Sequence, residues 1–193
     1  MFYEHFESNR DYQIRKQVTN LFKKLNIKPN KEINLSNIMC KMDESITWQI
    51  VDLYGLPGFT CRNKKKNKYR MYLDEKTNEK YFTRIRFTIA HELGHIALKH
   101  FEIYNNSTYI IDINHEYEAN IFADELLMPT APILNKKMTV DEICSTYLVS
   151  KSAAHNKIYY INRNTLYREE KQMWEPLFSL INKDGYPVNY EPD

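Results

Sequence analysis

Phe87-Thr88-Ile89-Ala90-His91-Glu92-Leu93-Gly94-His95-Ile96-Ala97-Leu98 decides how the rest of the chain is read. It contains His91-Glu92-x-x-His95. On an α-helix residues four apart stand one above the other, so both imidazoles leave the same surface. Two neutral histidines at that separation can occupy two corners of a zinc tetrahedron, and the glutamate beside the first is held next to the open corner where a water would sit. At ~100° per residue, Phe82, Ile85, Ile89, Leu93 and Ile96 share one face and the histidines the opposite one, with Phe87 and Leu98 flanking them. Apolar residues on both sides of the pair predict a buried helix whose histidines face a cleft. Gly94 in the helix interior costs about 1 kcal/mol against alanine, which implies a neighbour packed close to the backbone there.

The composition is that of an ordinary globular chain. It has 193 residues, 42% hydrophobic and 27% charged, with a net charge of +2. That length allows one good-sized core, or one core with an appendage. The charge is too small to argue for nucleic acid or a membrane surface. The N-terminus has acidic residues and no apolar signal region, and no run approaches the ~18 apolar residues of a membrane span. Cys40, Cys61 and Cys144 are odd in number and stand in no metal-ligand spacing. They read as reduced thiols, and the chain as cytoplasmic.

Helical periodicity appears first over 11–26, where Ile14, Val18, Leu21, Phe22 and Leu25 make one stripe. A second helix is expected at 35–42 with Ser36 as candidate N-cap. Residues 45–53 fit helix or strand, and Leu56-Pro57-Gly58 reads as a turn. Phe59–Cys61 and Tyr69–Leu73 flank Arg62-Asn63-Lys64-Lys65-Lys66-Asn67-Lys68, which predicts a β-hairpin with a basic, solvated tip. Tyr69–Leu73 alternates and is expected as an edge strand with one wet face, able to pair with an extended peptide.

A second motif follows, His115-Glu116-Tyr117-Glu118-Ala119-Asn120-Ile121-Phe122-Ala123-Asp124-Glu125-Leu126-Leu127-Met128-Pro129. Ala119, Phe122, Ala123 and Leu126 form a helical stripe that Pro129 helps to stop. A catalytic zinc site with two histidines needs a third protein ligand, and a carboxylate serves well. Glu116 and Glu118 lie on opposite borders of the stripe, about 160° apart, so both cannot face one metal, and periodicity does not choose between them. His115, Tyr117 or another of the 15 tyrosines could supply an oxyanion donor, and the sequence does not choose among them. Asp124 and Glu125 read equally as partners orienting the histidines or as solvated charges. His5, His100 and His155 stand in no motif.

Arg86–His95 followed by Glu116-x-Glu118-Ala119-Asn120-x-Phe122-Ala123-x-Glu125-Leu126-Leu127-Met128-Pro129 resembles the ImmA/IrrE family of metallopeptidases over roughly residues 45–165. The resemblance implies a minimal zincin-like core, one zinc ion per chain held by His91, His95 and Glu118, and Glu92 as general base. Glu118 takes the third position because the Glu-Ala-Asn element matches there, with Glu116 in reserve. Family members cleave helix-turn-helix repressors of mobile elements or stress regulons, so the implied partner is such a repressor.

Beyond Pro129, Thr139-Val140-Asp141-Glu142 reads as a capping box opening a helix to Tyr147. After a turn at Leu148-Val149, Ser150 caps a second helix to about Asn162. The pair resembles a helix-turn-helix. Lys151, Ser152, His155 and Asn156 would face a DNA groove, but Asp141, Glu142 and the modest basic count favour packing on the core over DNA contact. The tail carries an amphipathic set around Trp174, Leu177, Phe178 and Ile181.

The expected fold is α+β: a zincin-like core with N-terminal helices over 1–135, then a helical extension over 136–193. The expected function is a zinc endopeptidase directed at one or a few protein partners. The competing reading is a non-hydrolytic metal-containing interaction or DNA-binding module. A general base beside an open coordination position argues against it.

Overall fold

Residues 45–51, where periodicity leaves helix and strand equally open, form a strand rich in β-branched and aromatic residues. In the computed structural model, which describes residues 9–42, 45–66, 68–76, 82–103 and 112–166, this is β1 (Ser45–Val51). Helices α1 (Asn9–Lys24) and α2 (Leu35–Lys41) precede it. β2 (Gly58–Asn63), β3 (Lys68–Asp74), α3 (Phe82–Ala97) and α4 (His100–Ile103) follow. Then come α5 (Ile113–Leu127), α6 (Thr130–Asn135), α7 (Val140–Tyr147) and α8 (Lys151–Leu166). The architecture is α+β, a small mixed sheet among helices. No helix among the described residues is long and apolar enough to cross a membrane.

By internal contacts the chain forms two compact units. One comprises residues 34–124, and the other joins the N-terminal residues up to Ile33 with those from Glu125 onward. Helix α1 groups by contact with the helices that follow Glu125.

In the 34–124 unit the strand order is β1-β3-β2. β3 runs antiparallel to β2, with Thr60 opposite Met71, and parallel to β1, with Trp48 opposite Met71. The expected hairpin is therefore present, but Tyr69–Leu73 is the central strand. β1 occupies the side that an added peptide would need, and β2 is the edge on the other side. The alternation holds: Tyr69, Met71 and Leu73 are buried while Arg70 is exposed. Lys64–Lys66 form an exposed turn. Asn34 rather than Ser36 caps α2, its side chain accepting from the Asn37 amide at 2.9 Å.

Helix α3 packs on β2 and β3, with Ile85, Ala90, Leu93, His95 and Ile96 all buried, as expected for a helix apolar on both sides. Phe82 departs from that expectation at 57% exposure. Two glycines mark close approaches. A Cβ at Gly94 would stand 3.2 Å from the Cα and carbonyl oxygen of Ala119 and from Phe122 Cβ. The close neighbour implied by that glycine is thus helix α5. A Cβ at Gly58 would meet Thr88 Cγ2 at 2.7 Å, so the first residue of β2 sits against α3.

In the other unit Ile14, Val18, Phe22 and Leu25 of the α1 stripe are buried. Arg15 on the same helix is 1% exposed. Its Nη1 donates to Glu125 Oε2 at 2.6 Å, and Lys157 Nζ donates to that oxygen at 3.0 Å. Thr130 completes the cluster, its hydroxyl donating to Oε2 at 2.6 Å and its amide to Oε1 at 2.9 Å. The capping box forms as expected, with Thr139 Oγ1 accepting from the Glu142 amide and Glu142 accepting from the Thr139 amide. Leu148 turns the chain at φ 53°, and Ser150 Oγ accepts from the Ala153 amide. Tyr147, fully buried, donates its hydroxyl to the Pro29 carbonyl at 3.1 Å. Lys151, Ser152, His155 and Asn156 are exposed, and Lys151 pairs with Asp141 at 3.3 Å. The amphipathic set around Trp174 lies outside the described residues.

Candidate metal centre and cleft

Helix α3 carries His91 and His95 on one surface, one turn apart, and their Nε2 atoms stand 3.0 Å from each other. Helix α5, held against α3 at Gly94, brings Glu116 to both. Oε2 is 3.1 Å from His91 Nε2, and Oε1 is 3.4 Å from His95 Nε2. Ligands on zinc at ~2.0–2.1 Å in a tetrahedron stand about 3.3 Å apart. The two imidazole nitrogens and the Glu116 carboxylate, with one oxygen toward each histidine at 3.1 and 3.4 Å, therefore have the donor types of a zinc site and a spacing close to it. The partner of His91 supports this. Asn120 Oδ1 lies 2.9 Å from His91 Nδ1 and can only accept. Nδ1 then carries a proton, and Nε2, which faces Glu116, is the nitrogen available to a cation.

Glu118, expected as the third ligand, is elsewhere. Its Oε2 is 3.2 Å from His100 Nε2, on the far side of the His95 ring. The reason is the wheel geometry: with the two carboxylates on opposite borders of the α5 stripe, the border facing the histidine pair carries Glu116. Sequence periodicity cannot tell which border that is.

Glu92 is 7% exposed and lines the same cleft as His91, His95 and Glu116. Burial pushes its carboxyl above the ordinary carboxylate range, the Glu116 charge adds to this, and Thr60 and His91 oppose it. The Thr60 hydroxyl is buried and makes no hydrogen bond of good geometry among the described residues. His95 is driven the other way, down to about 3, first by burial and then by His91, His100 and His115. It is neutral at physiological pH, as a ligand must be. The cleft has a volume of about 720 Å³ and is walled by Leu56, Phe59, Phe87 and Phe101. Cys61 also lines it. Burial, then the Glu92 charge, raises its thiol pKa, which keeps it protonated.

The family model for the IrrE N-terminal-like domain, Peptidase M78, matches residues 58–159. The chain belongs to that family. No curated protein matches it. In this M78 domain the two quoted motifs fall on α3 and α5, the helices that carry the donor atoms.

Two groups of residues escaped the sequence reading. His100 is 1% exposed, and its Nδ1 lies 2.9 Å from His95 Nδ1. It stands in no motif because its position depends on Lys99, which breaks the helix at φ 62° and turns the chain back beneath His95. Asn120 was noted only as part of the Glu-Ala-Asn element. Its spacing from Glu116, one helical turn, is the signal that could have placed it on the same side. His115 stacks on His100 with ring centroids 4.2 Å apart, and neither His115 nor Tyr117 lines the cleft, so neither stands where an oxyanion donor must. Glu125 is neither an orienting partner nor a solvated charge but the centre of a buried ion cluster.

Proposed function

We propose that this chain is a zinc-dependent endopeptidase, with the metal held by His91, His95 and Glu116 and with Glu92 as general base. The observation that carries the reading is the convergence of His91 Nε2, His95 Nε2 and the Glu116 carboxylate, one ligand atom from each within 4.8 Å of the others, beside the buried Glu92. Zinc held there would supply Lewis-acid activation of the attacking water and of the scissile carbonyl. Glu92 accepts the proton as the water attacks and delivers it to the leaving amine, and its raised pKa suits it to both halves of that transfer. Leu56, Phe59 and Phe87 receive the side chains next to the scissile bond and exclude water. The substrate enters extended along β2, an edge strand whose first four residues line the cleft. The partner is a specific protein, and the resemblance to repressor-cleaving relatives favours a helix-turn-helix repressor.

Bound metal per chain tests the ligand set. The wild type is expected to hold about one zinc, His95→Ala and Glu116→Ala to lose it, and Glu118→Ala to keep it with weakened affinity. Loss with Glu118→Ala and retention with Glu116→Ala would restore Glu118 as the ligand. A repressor encoded beside this protein, incubated with the zinc-loaded wild type, should be cut at one or a few bonds. Tight binding without cleavage would instead favour the non-hydrolytic module.

A further inference from the structure

The histidine that no motif singled out stands at the end of a continuous chain of contacts. Glu118 Oε2 is 3.2 Å from His100 Nε2, His100 Nδ1 is 2.9 Å from His95 Nδ1, and His95 Nε2 faces His91 and Glu116. Each link constrains the next. A carboxylate at neutral pH only accepts, so the proton between Glu118 and His100 belongs to His100 Nε2. A neutral imidazole carries one N–H, so His100 Nδ1 is then a bare acceptor. The proton between the two rings therefore belongs to His95 Nδ1, and Nε2, which faces Glu116 and His91, is the nitrogen left to bind a cation. On the other histidine Asn120 does the same in one step.

We infer that Glu118 and His100 are positioning residues that lock His95 in the Nδ1–H tautomer, so that Nε2 is presented to a cation before one arrives. The Glu118 charge, passed through one intervening imidazole, also makes His95 a more basic donor than an isolated histidine. The rings are held for this task. His100 is buried and stacked on His115 at 15°, and His95 is 2% exposed and meets His100 edge-on at 76°. Neither can turn without opening the core. This also accounts for Glu116 and Glu118 of the second motif, one at the front of the His95 ring and one behind it.

The inference rests on the proposed metal site, but it can fail separately. In metal-free wild-type protein labelled with ¹⁵N-histidine at neutral pH, long-range proton–nitrogen spectra should show His95 protonated on Nδ1 and His100 on Nε2. A His95 Nδ1 without a proton, or an imidazolium at His100, would overturn the relay whatever the protein binds. If the tautomers are as stated and zinc does not bind, the relay stands and the metal reading falls. Competition with a chelator supplies the second readout. His100→Leu should weaken zinc binding roughly tenfold to a hundredfold. His100→Gln, whose amide oxygen can accept from His95 and whose amide nitrogen can donate to Glu118, should recover most of that. Wild-type affinity in His100→Leu, or an equal loss in both variants, would overturn the assignment.

Discussion

Each of the two compact units has its own polar cluster, and helix α5 contributes a carboxylate to each. At Glu125 the protein brings its own cations: Arg15 and Lys157 both donate to one carboxylate oxygen, at 2.6 and 3.0 Å. At Glu116 the partners are two imidazole nitrogens at 3.1 and 3.4 Å, and one of them, on His95, is driven to neutrality by burial. The first cluster is electrically closed and serves the fold. The second gathers the lone pairs of His91, His95 and Glu116, a donor set that favours a metal ion. The clusters also differ in exposure: Glu125 is sealed at 4%, whereas Glu116 is 34% exposed and opens to the cleft.

The sharpest break of that comparison is in the chemistry. Glu92→Gln should lower peptide cleavage by about 10²–10⁴-fold, the range for a lost general base. Metal content and thermal unfolding should stay close to wild type, as checked by a cleavage assay and metal analysis in parallel. Loss of metal in this variant would mean that Glu92 helps to build the site and does not only act in it.

Glu125→Ala should do the reverse. It leaves Arg15 and Lys157 buried without their carboxylate, and breaking a buried ion pair from one side costs about 3–5 kcal/mol. Urea unfolding should show that loss. Zinc affinity of the folded fraction should be unchanged, because none of the donor atoms belongs to this cluster.

Acid should separate the two clusters in the metal-free protein. The Glu125 carboxyl is held down to about 2, chiefly by Lys157 and Arg15 against the opposing effect of burial. Its stabilisation is complete above its ordinary value near 4.5 and is lost as pH falls through about 2. The total is about 3 kcal/mol. His95 is lowered from 6.5 to about 3 by burial first, so its unfolded form gains a proton before the folded one. The histidine cluster should therefore weaken across a higher window, between about 6.5 and 3. Hydrogen exchange or tyrosine fluorescence followed against pH should resolve two transitions, with α3 losing protection first. Simultaneous loss would mean that the clusters are energetically one.

The smallest effect is expected at Gly94→Ala. Alanine improves helix propensity by about 1 kcal/mol, but its Cβ would press on the Ala119 backbone at 3.2 Å, where nothing flexible can yield. Overpacking of this kind costs about 1–3 kcal/mol, so the net change should be a loss of about 1 kcal/mol. A measurable drop in zinc affinity should accompany it, because α5 carries Glu116.

The sequence by itself determined the local features. Residue spacing put His91 and His95 on one surface, placed Glu92 next to them, and required a close neighbour at Gly94. It also identified the hairpin, the capping box at Thr139 and Glu142, and the pair of helices that follows. Each of these depends on contacts within a few residues, where a period of 3.6 or 2 restricts the geometry. Only the tertiary structure decided which border of the α5 stripe meets the histidines, and so that Glu116 stands there and Glu118 behind. It alone made β3 central, because the β1 pairing is parallel and spans more than twenty residues. It brought His100 under His95 through one left-handed residue, and joined Arg15 to Glu125 across 110 positions. Such contacts depend on how elements rotate and cross when they pack, which no local period encodes.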